Sequence, residues 1–169
     1  MTTLVVETGA GLSNSNSYVT VAEADTYLST NKYYSAWADY DDEDKANVLI
    51  IASRLIDSYM NWFGTKTVES SAMRWPREGV YSLDGVEISS VSIPQNLKNA
   101  VCEFAYTQYS TNREQESGSL GISELKVDVI ELKFDKTDRP FTMPNNVIIW
   151  LRGLGYPVEG SKVLKLGRS

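Results

Sequence analysis

The fold is decided by residues 43–61, EDKANVLIIASRLIDSYMN, which carry the strongest hydrophobic periodicity in the chain. Apolar side chains recur there at steps of three and four, a spacing that places one apolar stripe along a helix. The stripe consists of Val48, Leu49, Ala52, Leu55, Ile56, Tyr59 and Met60. The acidic run Asp39–Asp44 falls at the first turn, where the positive end of the helix dipole favours carboxylates. We therefore predict an amphipathic helix over 43–61, which Gly64 ends.

Three further helices are predicted from capping signals and the same period. Thr20 and Glu23 are spaced as a capping box, in which the two residues bond each other's backbone amides. Pro94 and Pro144 stand where a first helical turn tolerates proline. The predicted helices cover residues 21–30, 94–110 and 145–153.

Two segments between these helices have β character. Asp84-Gly85 lies between short apolar runs and predicts a type I′ hairpin turn. Apolar and polar residues alternate over 122–134 with one slip, which predicts either a bulged strand or a pair of short strands. The fold class is therefore mainly α, with a small antiparallel bundle of about four helices, a β-hairpin or β-arm and an extended C-terminal tail.

The chain divides by composition into an arm, a body and a tail. The length of 169 residues suits one domain with long appendages. Residues 1–17 form the arm, a Gly/Ser/Asn-rich loop that we expect to need a neighbour for order. Residues 18–155 form the helical domain with its hairpin insertions, and residues 156–169 form the extended tail.

Composition excludes several function classes. The chain has no histidine and a single cysteine, which excludes Ser-His-Asp and Cys-His catalysis, imidazole metal sites and CxxC zinc sites. The run Asp39–Asp44 lacks the alternation and glycine of a calcium loop, and Gly9-Ala10-Gly11 lacks the rest of a phosphate loop. No apolar run approaches the roughly 18 residues that cross a bilayer. We therefore expect no enzyme, no cofactor, no metal and no membrane partner.

Two aromatic groups leave alternatives open. Arg74, Trp75 and Arg77 either stack on an unpaired base and hold its phosphate or form a packing unit that pins their loop to the helices; packing is the favoured interpretation. A second group offers stacking surface beside acidic residues, so protein contact or core burial is favoured over nucleic acid. Its members are Tyr33, Tyr34, Trp37 and Tyr40. Cys102 is predicted to be a packed apolar residue.

The C-terminal tail is basic, whereas the whole chain has a net charge of −6. A tail with apolar residues in alternation can add to a neighbour's sheet edge or thread between subunits. Docking is favoured over a frayed terminus because the apolar residues need burial. The predicted partner-binding residues are Lys162, Val163, Leu164, Lys165, Leu166 and Arg168.

Two blocks resemble a known family. Residues 16–28, NSYVTVAEADTYL, look like the opening of a tailed-bacteriophage family often labelled "putative DnaT-like single-stranded-DNA-binding protein". Residues 74–80, RWPREGV, and the Ile93-Pro94 helix start follow in the family's order. The resemblance covers roughly residues 14–110.

The resemblance implies a virion structural protein, namely a head-to-tail connector, also called an adaptor or head-completion protein. Such proteins form a homo-oligomeric ring, typically a dodecamer, beneath the portal, and their arms and tails reach neighbouring copies, the portal or tail and neck proteins. The expected location is the head–tail junction of a virion assembled in the host cytoplasm. Genomic DNA would pass through the lumen without sequence-specific binding. The alternative is a single-stranded-DNA-binding protein of phage replication.

Overall fold

The computed structural model describes residues 3–110 and 143–158, together with the backbone of two strands at 124–127 and 130–133. In these ranges the chain forms four α-helices, one 3-10 helix and six short strands. The helices are α1 (Val21–Ser29), the 3-10 helix (Lys32–Asp39), α2 (Asp42–Tyr59), α3 (Gln95–Ser110) and α4 (Asn145–Trp150). The strands are β1 (Met60–Trp62), β2 (Thr65–Lys66), β3 (Arg77–Glu78), β4 (Glu124–Val127), β5 (Ile130–Lys133) and β6 (Gly155–Pro157). The predicted mainly α fold class is confirmed.

The helix starts follow the predicted capping chemistry. The amide of Glu23 donates to Thr20 Oγ1 at 3.1 Å and the amide of Thr20 donates to Glu23 Oε2 at 2.9 Å, so the capping box of α1 is complete. At α2, the Asp41 carboxylate accepts the amide of Asp44 at 2.8 Å. The acidic run therefore caps and charges a helix start, as predicted.

Helix α2 is shorter than predicted at its C-terminal end. It ends at Tyr59, and Met60 has an extended backbone with φ −112° and ψ 132°. The reason is a tertiary one: β1 pairs antiparallel with β6, with Asn61 opposite Tyr156. The local sequence does not indicate this pairing, because its apolar stripe continues to Met60.

The core lies around α3, which packs against α2, α4 and α1. The buried apolar side chains of α3 are Leu97, Ala100, Val101, Cys102, Phe104 and Ala105. In α2 the centre of the stripe is buried, while Val48 and Tyr59 are partly buried at the edge. The fully buried side chains include Tyr18, Leu28, Leu49, Ile56, Trp75, Leu97, Phe104, Val147 and Leu154.

The β elements are three separate two-stranded antiparallel pairs: β1–β6, β2–β3 and β4–β5. The last of these resolves the alternative left open over 122–134 in favour of two short strands. In the hairpin at 81–87, the amide of Gly85 donates to the carbonyl of Ser82, which places Leu83 and Asp84 at the centre of the turn. Gly85 follows in the left-handed region at φ +76°. The predicted type I′ turn centred on Asp84-Gly85 is therefore wrong; the turn is one residue earlier.

The N-terminal arm is ordered by a buried carboxylate, from residue 3 onward. Glu7 is fully buried and accepts the amides of Gly9, Gly11 and Leu12 at 2.7–2.9 Å, together with the Ser15 hydroxyl at 3.0 Å. The amide of Ala72 donates to the carbonyl of Leu12 and ties the loop to the body. The expectation that this loop needs a neighbour for order is wrong, because the chain supplies its own anion to the loop amides.

The 3-10 helix was not predicted from the sequence. Its start is capped by Asn31, whose side chain accepts the amide of Tyr33 at 3.1 Å. None of the helices in the described ranges has the length and hydropathy that crossing a bilayer requires.

Candidate protein and nucleic-acid interfaces

Trp75 cannot stack on a base, because it is fully buried. Its ring meets Trp62 edge-on, with ring centroids 5.8 Å apart. The loop that carries it joins β2 to β3 and contains a cis Trp75-Pro76 peptide. The packing interpretation of this loop is confirmed, and the base-stacking interpretation of Trp75 is wrong.

Arg77 is also engaged within the chain. Its guanidinium donates to the carbonyls of Phe63 at 2.6 Å, Gly64 at 2.7 Å and Arg74 at 3.1 Å. These bonds use three of the five N–H donors of the guanidinium and fix its orientation toward backbone carbonyls. Arg77 therefore stabilises the β1–β2 turn. Arg74, by contrast, is exposed.

A polar network under the loop was missed by sequence reasoning. The Tyr18 hydroxyl donates to the Asp57 carboxylate at 2.8 Å and accepts the amides of Arg74 and Trp75, each at 3.1 Å. The amide of Arg74 also reaches Asp57 Oδ2 at 3.0 Å. Desolvation raises the pKa of Asp57 to about 6, against the hydrogen bonds of Tyr18 and Arg74, which lower it. The network fixes the loop to α2.

The second aromatic group is mostly internal. Trp37 is 3% exposed and donates its indole N–H to Asp25 at 2.7 Å. Tyr34 packs against Tyr106, and Tyr40 stacks on Tyr109. Of the two favoured interpretations, packing within the chain is confirmed for these rings, while protein contact stays a prediction. The exposed ring is Tyr33, which is 74% exposed.

A second buried carboxylate holds three elements onto α3. Glu103 accepts the Tyr27 hydroxyl at 3.0 Å, the Tyr34 hydroxyl and Asn146 Nδ2 at 2.8 Å. Desolvation, with Glu103 beside it, raises the pKa of Tyr34 to about 12, so both hydroxyls stay protonated as donors. The spacing of one glutamate and two tyrosines along the chain gave no signal of this cluster.

A groove of about 530 Å³ runs between α1 and α3. Its Glu23 and Lys98 side chains pair with each other at 2.6 Å. Cys102 lies at this groove, 2% exposed, and burial raises the pKa of its thiol to about 12. The thiol is thus a packed apolar group, as predicted, and not a nucleophile. No cluster of metal-ligating side chains occurs among the residues that the structure describes.

The predicted partner-binding residues of the tail, 162–168, lie outside the described residues, so their contacts stay a prediction. The described part of the chain supplies another surface that the sequence did not single out. Phe63 and Tyr156 are 45% and 57% exposed, with ring centroids 6.0 Å apart. Val158, 40% exposed, continues this surface along the chain after β6. Only the pairing of β1 with β6 brings these side chains together, so the local sequence does not indicate this surface.

Comparison with known proteins gives one match. No curated protein and no solved structure matches the chain. A family model described as "Putative DnaT-like ssDNA binding protein" matches residues 2–163, nearly the whole sequence, and the chain therefore belongs to that family.

Proposed function

We propose that this chain is a virion structural protein, a head-to-tail connector subunit that forms a ring under the portal of a tailed bacteriophage. In this proposal the ring joins the portal to tail and neck proteins, and it assembles in the host cytoplasm. The helical domain of residues 18–155 is the adaptor body. The role is non-enzymatic and needs no cofactor or metal.

The observation that carries the proposal is the internal use of the Trp75 loop. Trp75 is fully buried and three backbone carbonyls occupy the Arg77 guanidinium. Two of the three residues best suited to hold single-stranded DNA, Trp75 and Arg77, are therefore already engaged within the chain, whereas Arg74 is exposed. Together with a net charge of −6, this favours a protein partner over a phosphate backbone.

Charge distribution supports the same choice. Residues 159–169 contain three basic residues and one acidic residue, for a net charge of +2. The remaining 13 basic and 21 acidic residues give residues 1–158 a net charge of −8. An acidic ring would let the genome slide through its lumen without adhering to it. The basic tail, with Lys162, Lys165 and Arg168, is the part that would reach a partner.

The test is native mass spectrometry of the protein mixed with the portal protein of the same virus. The proposal expects a discrete complex with about one copy per portal subunit. Deletion of residues 159–169 should leave the far-ultraviolet circular dichroism of the monomer unchanged and abolish the complex. A monomer that never joins the portal contradicts the connector role.

The family description favours a second candidate, single-stranded-DNA binding. An oligonucleotide titration across salt tests it, because phosphate contacts make affinity fall steeply with salt concentration. Arg74→Lys and Arg77→Lys should both weaken such binding if the loop forms the DNA groove. Salt-independent or undetectable binding would leave the connector as the favoured function.

A further inference from the structure

The β1–β6 ribbon has one face in the core and one face in solvent. Met60 is buried and Trp62 packs against Trp75, whereas Asn61 and Tyr156, paired across the ribbon, are both exposed. Because side chains alternate between the faces of a ribbon, the outward set is the one that includes Asn61 and Tyr156. We call the exposed apolar members of this set, Phe63, Tyr156 and Val158, the ribbon face.

The 81–87 hairpin lies beside one end of the ribbon. Leu83 is 76% exposed, and its side chain lies 3.3 Å from the position that a Cβ on Gly153 would take. Gly153 precedes Leu154, whose carbonyl accepts the amide of Phe63 at 2.9 Å. Contiguous exposed apolar surface of this kind marks an interaction site more often than scattered single residues do.

We propose that the ribbon face binds residues 159–169 of a second copy of this chain. The inference rests on the proposed function, since it names the partner surface for the tail in a ring. The segment carries Val163, Leu164 and Leu166, which supply apolar side chains for such a face. Its net charge of +2 is opposite in sign to the −8 of residues 1–158, so the segment is complementary in charge to the body of a copy.

The backbone of β6 argues against the same segment folding back as a third strand of its own ribbon. The amide of Val158 donates to the carbonyl of Tyr59 at 2.8 Å. This bond and the one from Phe63 to Leu154 determine which residues of β6 direct their backbone groups toward β1. With this alternation, Gly155 and Pro157 direct their backbone groups away from β1. Proline has no N–H, so within β6 the outward edge offers the N–H of Gly155 alone. A strand added there would find few donors, whereas the face stays open to side chains from another copy.

The arrangement is heterologous, because the tail of one copy meets the ribbon of the next. Such a contact closes into a ring when its rotation allows it. It also explains why Phe63 and Tyr156 remain exposed in a single copy, even though Trp62 packs against the core and Leu154 is buried.

Disulfide trapping between two copies tests the proposal. One tagged copy carries Tyr156→Cys and a differently tagged copy carries Leu164→Cys, and the two are mixed and oxidised with and without the portal protein. We expect a mixed disulfide between the tags, since seated residues come within the roughly 7 Å that a disulfide spans. Val91→Cys replaces Tyr156→Cys as the matched control, because Val91 is 75% exposed beside the Gly9 loop. Cys102 is buried, and the unsubstituted chain controls for it.

Four outcomes overturn the proposal or separate it from the connector role. A yield no higher than that of Val91→Cys overturns it, and so does a disulfide formed only within a chain that carries both substitutions. A portal complex without the mixed disulfide contradicts this inference while the connector role stands. A mixed disulfide without portal binding supports the contact between copies and contradicts the connector.

Discussion

Two aromatic regions lie on opposite sides of the β1 strand and differ in how far the chain itself buries them. Trp62 and Trp75 lie on the core side, where Tyr18, Asp57 and Arg77 hold the Trp75 loop by hydrogen bonds within the chain. Phe63 and Tyr156 lie on the other side, with about half of each side chain exposed. Aromatic content alone therefore does not locate a binding site. The relevant difference is whether other side chains of the same chain already bury the aromatic surface.

Truncating one ring on each side of β1 tests whether the two sides differ in their contribution to stability. Trp75→Ala should lower the free energy of unfolding by about 3–5 kcal/mol, because it leaves a cavity in the core. Phe63→Ala should cost less than about 1 kcal/mol, since much of that ring is already in water. Urea denaturation of both variants measures the difference. Equal losses would show that the two sides of β1 are not energetically distinct.

The contribution of Asp57, which holds the Trp75 loop, to the free energy of unfolding should depend on pH. Asp57 has a folded pKa of about 6 and an unfolded pKa of about 4, so the folded state binds the extra proton between these values. Its contribution to stability is therefore full below about pH 4 and is lost as the pH rises through 6, by about 3 kcal/mol. Glu23 has a lowered pKa beside Lys98 and contributes the opposite trend.

The measurement is the unfolding free energy of the wild type minus that of Asp57→Asn at pH 4.5 and at pH 7. We expect this difference to be larger at pH 4.5, because the asparagine variant lacks the titrating group. Asp84→Asn, at an exposed hairpin position, should follow the wild type at both values. A pH-independent difference for Asp57→Asn would show that the hydrogen bonds of Tyr18 and Arg74 offset its desolvation.

Arg74 and Arg77 allow a smaller and cleaner test on the same loop. Arg77→Lys should lose about 1 kcal/mol, because an ammonium cannot span the carbonyls of Phe63, Gly64 and Arg74 as the fork does. Arg74→Lys should be neutral, since the loop uses the Arg74 backbone and not its exposed side chain. Thermal unfolding compares the pair. Equal stabilities with equal losses of oligonucleotide affinity would instead support a DNA groove.

The helices were predictable because their signals are local. The Thr20–Glu23 capping box, the stripe of α2 and the proline before α3 each specify structure within a few residues. What failed to follow from the sequence depends on pairing across the chain. The end of α2 at Tyr59 is set by β6, almost one hundred residues later.

The candidate surfaces were less predictable for the same reason. The sequence places two arginines beside Trp75, but only the folded chain shows that Phe63 and Gly64 supply their carbonyls to one of them. Glu7 and Glu103 look like ordinary acidic residues, yet each is buried and gathers donors from several positions. Composition alone predicts the tail contacts at 162–166 and Arg168, whereas the ribbon face forms only when β1 and β6 are paired.

The ribbon face should contribute little to the stability of one copy and more to association between copies. Tyr156→Ser removes a ring that is 57% exposed, so the unfolding free energy should fall by less than about 1 kcal/mol. Sedimentation velocity should nevertheless show weaker association between copies, because the ring forms the centre of the apolar face. Tyr81→Ser is the matched control, since Tyr81 is 56% exposed on the neighbouring hairpin. If both variants associate as the wild type does, the exposure of Tyr156 has no bearing on assembly; if both weaken it alike, the interface extends across the hairpin and is not confined to the ribbon.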